Sequence, residues 1–183
     1  MPDHLETEIA AGELRGTLTL PPNGIVAAVA LIIPGSGPTD RDGNSSLGVR
    51  AATYRLLAGG LAACGIASVR IDKRGMYASA GACADGNDVT LAAYAADVQA
   101  WITTIQTRTC LAKVWLVGHS EGGLVAIKAA ETGHDIAGLA LLAVPGRKLG
   151  DVLRDQSAAN PANAPYLAAI SYTHLTLPTK RIV

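Results

Sequence analysis

Apolar and polar positions first alternate with a period of two. Leu5 to Ala10 and Glu13 to Leu20 read this way on either side of Ala11-Gly12, which predicts two half-exposed strands joined as a hairpin. Pro21-Pro22-Asn23-Gly24 then makes a turn. Ile25 to Ile33 is an almost unbroken apolar run, which suits a strand covered on both faces, and Pro34-Gly35-Ser36-Gly37-Pro38 ends it. After the polar stretch Thr39 to Ser46 the period changes to that of a helix. Val49 to Cys64 carries Leu57, Leu61 and Cys64 on one stripe, with Gly65 as its stop. Ile66 to Asp72 is a further strand, followed by the loop Lys73-Arg74-Gly75. Thr90 to Thr107 repeats Leu91, Ala95, Val98, Ile102 and Ile105 at helical spacing. Lys113 to Gly118 is a short strand, Glu121 to Thr132 a helix stopped by Gly133, and Ile136 to Val144 a buried strand broken by Pro145-Gly146. After the hairpin the order is β-α-β-α-β-α-β. Such alternation implies an α/β fold, a mostly parallel sheet with helices on both faces and right-handed crossovers.

Composition narrows the function classes. The chain has 183 residues, 49% of them hydrophobic and 16% charged, which is a globular composition with enough apolar mass for one core. Phe is absent, so Ala, Leu, Val and Ile must build that core. Formal net charge is zero and there is no basic stripe interleaved with aromatics, which argues against nucleic acid as a partner. No apolar run reaches the roughly 18 residues of a membrane span. Met1-Pro2-Asp3-His4-Leu5-Glu6 lacks the basic and apolar regions of a signal peptide, so a cytoplasmic location is expected. Cys64, Cys83 and Cys110 have unrelated spacings and form no CxxC. They read as buried or free thiols, neither a disulfide framework nor a metal site.

The candidate chemistry centres on Gly118-His119-Ser120-Glu121-Gly122. This GxSxG lies between an expected strand and an expected helix, the context in which a serine is held on a sharp, strained turn with its hydroxyl exposed above a sheet. Ser120 is the expected nucleophile. Gly118 and Gly122 are needed where a side chain would clash across the turn, and Gly123 lets the helix lie close to the sheet. The helix N-terminus aims N–H groups and the positive end of its dipole at a developing oxyanion. Two backbone donors are required there. Glu121, after the nucleophile, supplies one, and the Pro34-Gly35-Ser36-Gly37 loop the other, with Ser36 first and Gly37 second as its donor.

Three motifs occur in order: Ile33-Pro34-Gly35-Ser36-Gly37-Pro38-Thr39-Asp40-Arg41-Asp42-Gly43-Asn44, then Asp72-Lys73-Arg74-Gly75, then Gly118 to Gly123. Together they resemble the signature of a bacterial α/β-hydrolase serine esterase group, over about Leu14 to Leu153. The resemblance implies carboxylesterase activity on short acyl esters, a small-molecule substrate, no cofactor and no metal. It also implies a helical cap inserted after the strand ending near Val144. Residues 1–146 are then the N-terminal part of the α/β-hydrolase core and 147–170 the start of the cap. Residues 171–183, SYTHLTLPTKRIV, resemble translated sequencing-adapter read-through of the kind found at the ends of environmental gene fragments. The alternative there is a strand-like segment ended by Pro178.

Other polar residues have plainer readings. His119 is expected to point away from the hydroxyl and be structural. Asp40, Arg41 and Asp42 read first as a locally ion-paired loop and second as shaping the mouth of the site, and Asp72, Lys73 and Arg74 as a loop-ordering charge cluster. His134 reads as a surface residue, and His4 lies by the terminus. A serine needs a general base and the base an orienting acid, and this fold supplies both on later loops. After Val144 neither is identifiable: Asp151 and Asp155 fall at the start of the cap, and His174, in the tail, is the weak candidate base. The fold is therefore expected to be incomplete at its C-terminal side and the chain impaired. An exposed sheet edge and apolar surface favour self-association. Four functions stay open: an ester hydrolase on Ser120, another acyl-transfer enzyme such as a peptidase or acyltransferase, a non-catalytic binding module, and an inert fragment.

Overall fold

The structure is a computed structural model and describes residues 4–159. The described residues fall into two units, one ending at Val144 and the other starting at Pro145. The first unit is a six-stranded mixed sheet in the order β1-β2-β4-β3-β5-β6. Its strands are β1 (Leu5–Ala11), β2 (Leu14–Leu20), β3 (Ala28–Ile33), β4 (Ile66–Ile71), β5 (Val114–His119) and β6 (Ile136–Leu142). β2 runs antiparallel to both β1 and β4, while β4, β3, β5 and β6 are mutually parallel. The helices are α1 (Thr53–Ala63), α2 (Leu91–Thr109) and α3 (Glu121–Thr132).

The pleat of β3 sorts them onto two faces, because successive side chains on a strand point opposite ways. Val29, Leu31 and Ile33 join Val98, Trp101, Ile102 and Ile105 of α2 and Val125, Ala126 and Ala129 of α3 in one core. Ala30 and Ile32 join Tyr54 and Ala58 of α1 in the other. Each large aliphatic side chain so buried contributes about 2 kcal/mol, so the alternation along one central strand anchors helices on both sides. The expected β/α order is present.

Two element starts differ clearly from the expectation. β3 begins at Ala28, and Ile25 stands in the open because its N–H turns back to the side chain of Asn23. α1 begins at Thr53, four residues later than its periodicity predicts. Gly48 and Ala52 are both left-handed, and the amide of Ala52 is held by the side chain of Asn44, so the chain cannot enter the helix earlier. The Asp42 carbonyl then accepts from the N–H groups of Tyr54 and Arg55, doing the work of an N-cap from ten residues upstream. Cys64 is exposed, and the buried stripe of α1 is Tyr54, Ala58 and Ala62, with Leu57 and Leu61 at its margin. A 3-10 segment, Tyr77–Ala82, follows β4 and has no signal in the periodicity.

The expectation of a local ion-paired loop at Asp40 to Asp42 is corrected. Arg41 reaches Asp72 with its backbone N–H and its side chain, and also reaches Glu8 on β1. Asp42 pairs with Arg70 of β4, and only Asp40 works locally, accepting from the N–H groups of Asp42 and Asn44. These pairs pin the polar loop across the antiparallel side of the sheet. Arg74 similarly pairs with Asp97 of α2, whose carboxylate raises the guanidinium above its ordinary range.

In the second unit α4 (Leu149–Ala158) carries an Arg154–Asp151 pair one turn apart, and Arg147 pairs with Asp155. The tail beyond Ala159, with His174, lies outside the described residues. No helix among the described residues is long and apolar enough to cross a membrane.

Candidate active site

Ser120 joins β5 to α3 at φ 52° and ψ −120°, a region that L-residues rarely occupy. Holding a non-glycine residue there costs about 1–3 kcal/mol and needs surrounding contacts to enforce it. Two hydrogen bonds do so: Ser120 N–H donates to the Leu142 carbonyl at 2.9 Å, and Gly123 N–H donates to the Ser120 carbonyl at 3.0 Å. The glycines follow from sterics. A Cβ on Gly118 would lie 2.5 Å from the Gly122 oxygen and from the Gly123 Cα. One on Gly122 would lie 2.5 Å from the Pro34 oxygen and closer still to that of Ile33. The turn is therefore packed directly against the end of β3.

That packing brings the two distant motifs together. A Cβ on Gly35 would meet Ser120 Cβ at 3.2 Å and His119 Nδ1 at 3.1 Å. Gly35, Ser36, Thr39, Gly43, Ser45, Val49, Thr53, Tyr54, His119 and Ser120 line one cavity of about 280 Å³. Gly37 follows at φ 73° and its carbonyl accepts from Thr39 N–H. Glu121 is the first residue of α3, so its N–H belongs to the unpaired first turn of that helix.

His119 points to Tyr54: Nδ1 lies 2.8 Å from the phenol oxygen, and the rings meet edge to face with centroids 5.8 Å apart. The phenol oxygen also accepts from Gly35 N–H at 3.2 Å. Tyr54 thus ties α1 to the loop after β3 and to the serine turn, and burial pushes its phenol up from the ordinary tyrosine range. It is the residue that sequence reading missed, since a lone aromatic in the first turn of a helix carries no signal of a partner 65 positions away. Removing the hydroxyl leaves Gly35 N–H and His119 Nδ1 without that partner. Tyr54→Phe is expected to lower stability by about 1–2 kcal/mol, read as a reduced urea midpoint at constant slope.

Lys73, read from the sequence as part of a loop-ordering charge cluster, reaches beyond its own loop. Only 4% of it is exposed, and its ammonium donates to the Gly35 carbonyl at 2.6 Å. The Glu121 carboxylate lies 3.6 Å away, and the Tyr94 ring centroid lies 5.7 Å away. Burial pushes the ammonium down from the ordinary lysine range, with the Glu121 carboxylate acting in the opposite direction. Among the described residues no imidazole hydrogen-bonds the Ser120 hydroxyl; His4 lies beside Glu6 and His134 is exposed.

The serine aminopeptidase, S33, family model matches residues 47–162. No curated protein matches the chain. Among solved structures it is similar to a thermostable carboxyl esterase from Bacillus coagulans, at 18% identity and a TM-score of 0.62, over 85% of this chain and 49% of that one. A dienelactone hydrolase from Anabaena variabilis aligns at 19% identity and a TM-score of 0.60, over 95% of this chain and 80% of that one. A proline iminopeptidase-related protein from Thermus thermophilus aligns at 16% identity and a TM-score of 0.59, over 96% and 58%. The chain spans about half the length of the Bacillus coagulans esterase.

Proposed function

The chain belongs to the serine aminopeptidase S33 family of hydrolases and has the α/β-hydrolase fold; from that premise we propose a serine carboxylesterase that cleaves short-chain carboxylic esters through an acyl-enzyme on Ser120. The observation that carries this reading is the strained Ser120, facing the same cavity as the Gly35-Ser36 loop. In the first step Ser120 Oγ bonds to the acyl carbon and its proton passes to a general base. The carbonyl electrons move to oxygen, where the N–H groups of Ser36 and Glu121 hold them. Gly37 N–H is the alternative donor from the loop. The alkoxide leaves with the proton, and water repeats the sequence to release the acid. The base and its acid are expected outside the described residues, with His174 the weak candidate, so turnover by this chain is expected to be slow. Residues 1–146 serve as core and 147–170 as the start of a cap; residues 171–183 are read as a non-native tail.

A peptidase is the second reading, favoured by the name of the family itself. An aminopeptidase must hold the α-ammonium of its substrate, and a carboxylate is the usual means. The cavity at Ser120 is lined by serines, threonines, glycines, a valine, a tyrosine and a histidine, with no carboxylate among the described residues that line it. A neutral ester suits that lining better. The test is a panel of p-nitrophenyl acetate, butyrate and hexanoate against amino-acid p-nitroanilides and acceptor alcohols. Ester cleavage well ahead of anilide cleavage is expected; parity between them defeats the esterase reading in favour of the peptidase.

A further inference from the structure

We infer that Lys73 is a positioning residue for acyl transfer, bridging the two backbone donors of the oxyanion hole through the Gly35 carbonyl and the Glu121 carboxylate. The inference rests on Ser120 being the nucleophile and Ser36 and Glu121 the donors. Its geometry concerns a single peptide unit. The carbonyl of Gly35 and the N–H of Ser36 belong to the same amide. That amide is planar and trans, so its C=O and N–H point in opposite directions. Whatever fixes the carbonyl therefore fixes the N–H. The Lys73 ammonium lies 2.6 Å from that oxygen, on the side away from which Ser36 N–H must point.

The contact does more than orient. A cation on the carbonyl draws electron density out of the amide and makes its N–H a better donor, as in any chain of polarised hydrogen bonds. The low dielectric strengthens this effect, and Lys73 is 4% exposed. The same ammonium faces Glu121 at 3.6 Å, and the N–H of Glu121 is the other proposed donor. One buried charge thus braces both sides of a hole whose halves lie more than eighty positions apart in the sequence. Tyr94 lies within cation–π distance of the ammonium, and the phenol of Tyr54 holds the preceding amide N–H of the same loop.

The experiment uses the full chain, with active sites counted by fluorophosphonate uptake and Ser120→Ala as the blank. Lys73→Met keeps the apolar stem and removes both charge and donor. It is expected to lower kcat per titrated site by about 10–100-fold, less than or comparable to loss of a whole oxyanion donor, with KM changed less than about twofold. Lys73→Gln restores a neutral donor and is expected to recover part of the loss. A merely structural lysine would instead reduce the number of titrated sites and leave kcat per site alone. That result, or wild-type kcat in a folded Lys73→Met, overturns the inference while the esterase reading stands. If Lys73→Met does not fold, Lys73→Gln decides: kcat lower by about three- to tenfold at unchanged KM supports the inference, and wild-type kcat overturns it. A folded wild-type chain that neither takes up fluorophosphonate nor cleaves ester has an unpowered Ser120, the result expected if no base reaches it, and overturns the inference for this chain, because its Lys73 then serves no acyl transfer.

Discussion

Ser120→Ala is expected to abolish fluorophosphonate labelling and, where the serine is activated, to lower ester turnover by about 10⁶-fold. The size of the effect follows from what the residue supplies. The remainder of an oxyanion hole, with bound substrate, retains only a small part of the catalysis once the nucleophile is gone. Alanine has the same backbone requirement as serine at φ 52°, so the turn is kept and the folded chain should be unchanged by circular dichroism. Peptide mapping of the labelled wild type checks the site directly: the adduct should sit on Ser120. Turnover that persists in Ser120→Ala would move the chemistry elsewhere. Labelling of the wild type would also show that some base reaches the hydroxyl, and His174 is then the first imidazole to replace.

Gly122→Ala is expected to cost about 3 kcal/mol or more and to remove labelling with stability. The added methyl would enter space filled by the carbonyl oxygens of Ile33 and Pro34. Both are backbone atoms at the end of a central strand, and neither can rotate aside as a side chain would. The strain must be relieved by moving α3 away from β3, which separates Ser120 from the Gly35-Ser36 loop. Gly60→Ala is the control, because a Cβ there meets nothing within 4 Å and the residue lies in the interior of α1. It is expected to hold or slightly raise stability. The check is the urea midpoint of each variant, with a lower midpoint for Gly122→Ala at an unchanged slope.

Both predictions concern residues that the sequence singled out unaided. GxSxG marks the serine turn because its requirements are local: two residues without Cβ within five, a strand before and a helix after. The hairpin at Ala11-Gly12 and the β/α alternation were legible for the same reason, since periodicity records which face of each element is covered. The place of the Gly35-Ser36 loop after the first central strand of the β/α order then set it opposite Ser120, and a Cβ on Gly35 would meet the serine at 3.2 Å.

What the sequence alone determined is therefore the order of elements, their faces and the position of the serine turn, all written in spacings of a few residues. Only the tertiary structure decided where α1 starts, because its N–H groups are capped by a carbonyl from a separate loop. It also showed that charges of the Asp40 to Asp42 loop, expected to pair locally, and of the Asp72 to Arg74 cluster link those loops to β1, β4 and α2. And it alone gave Tyr54 and Lys73 their partners, at Gly35, His119 and Glu121. Those contacts join residues 19 to 65 positions apart. A pairing at that distance leaves no periodicity in a chain, because it depends on which strand ends the fold brings together and not on any neighbouring residue.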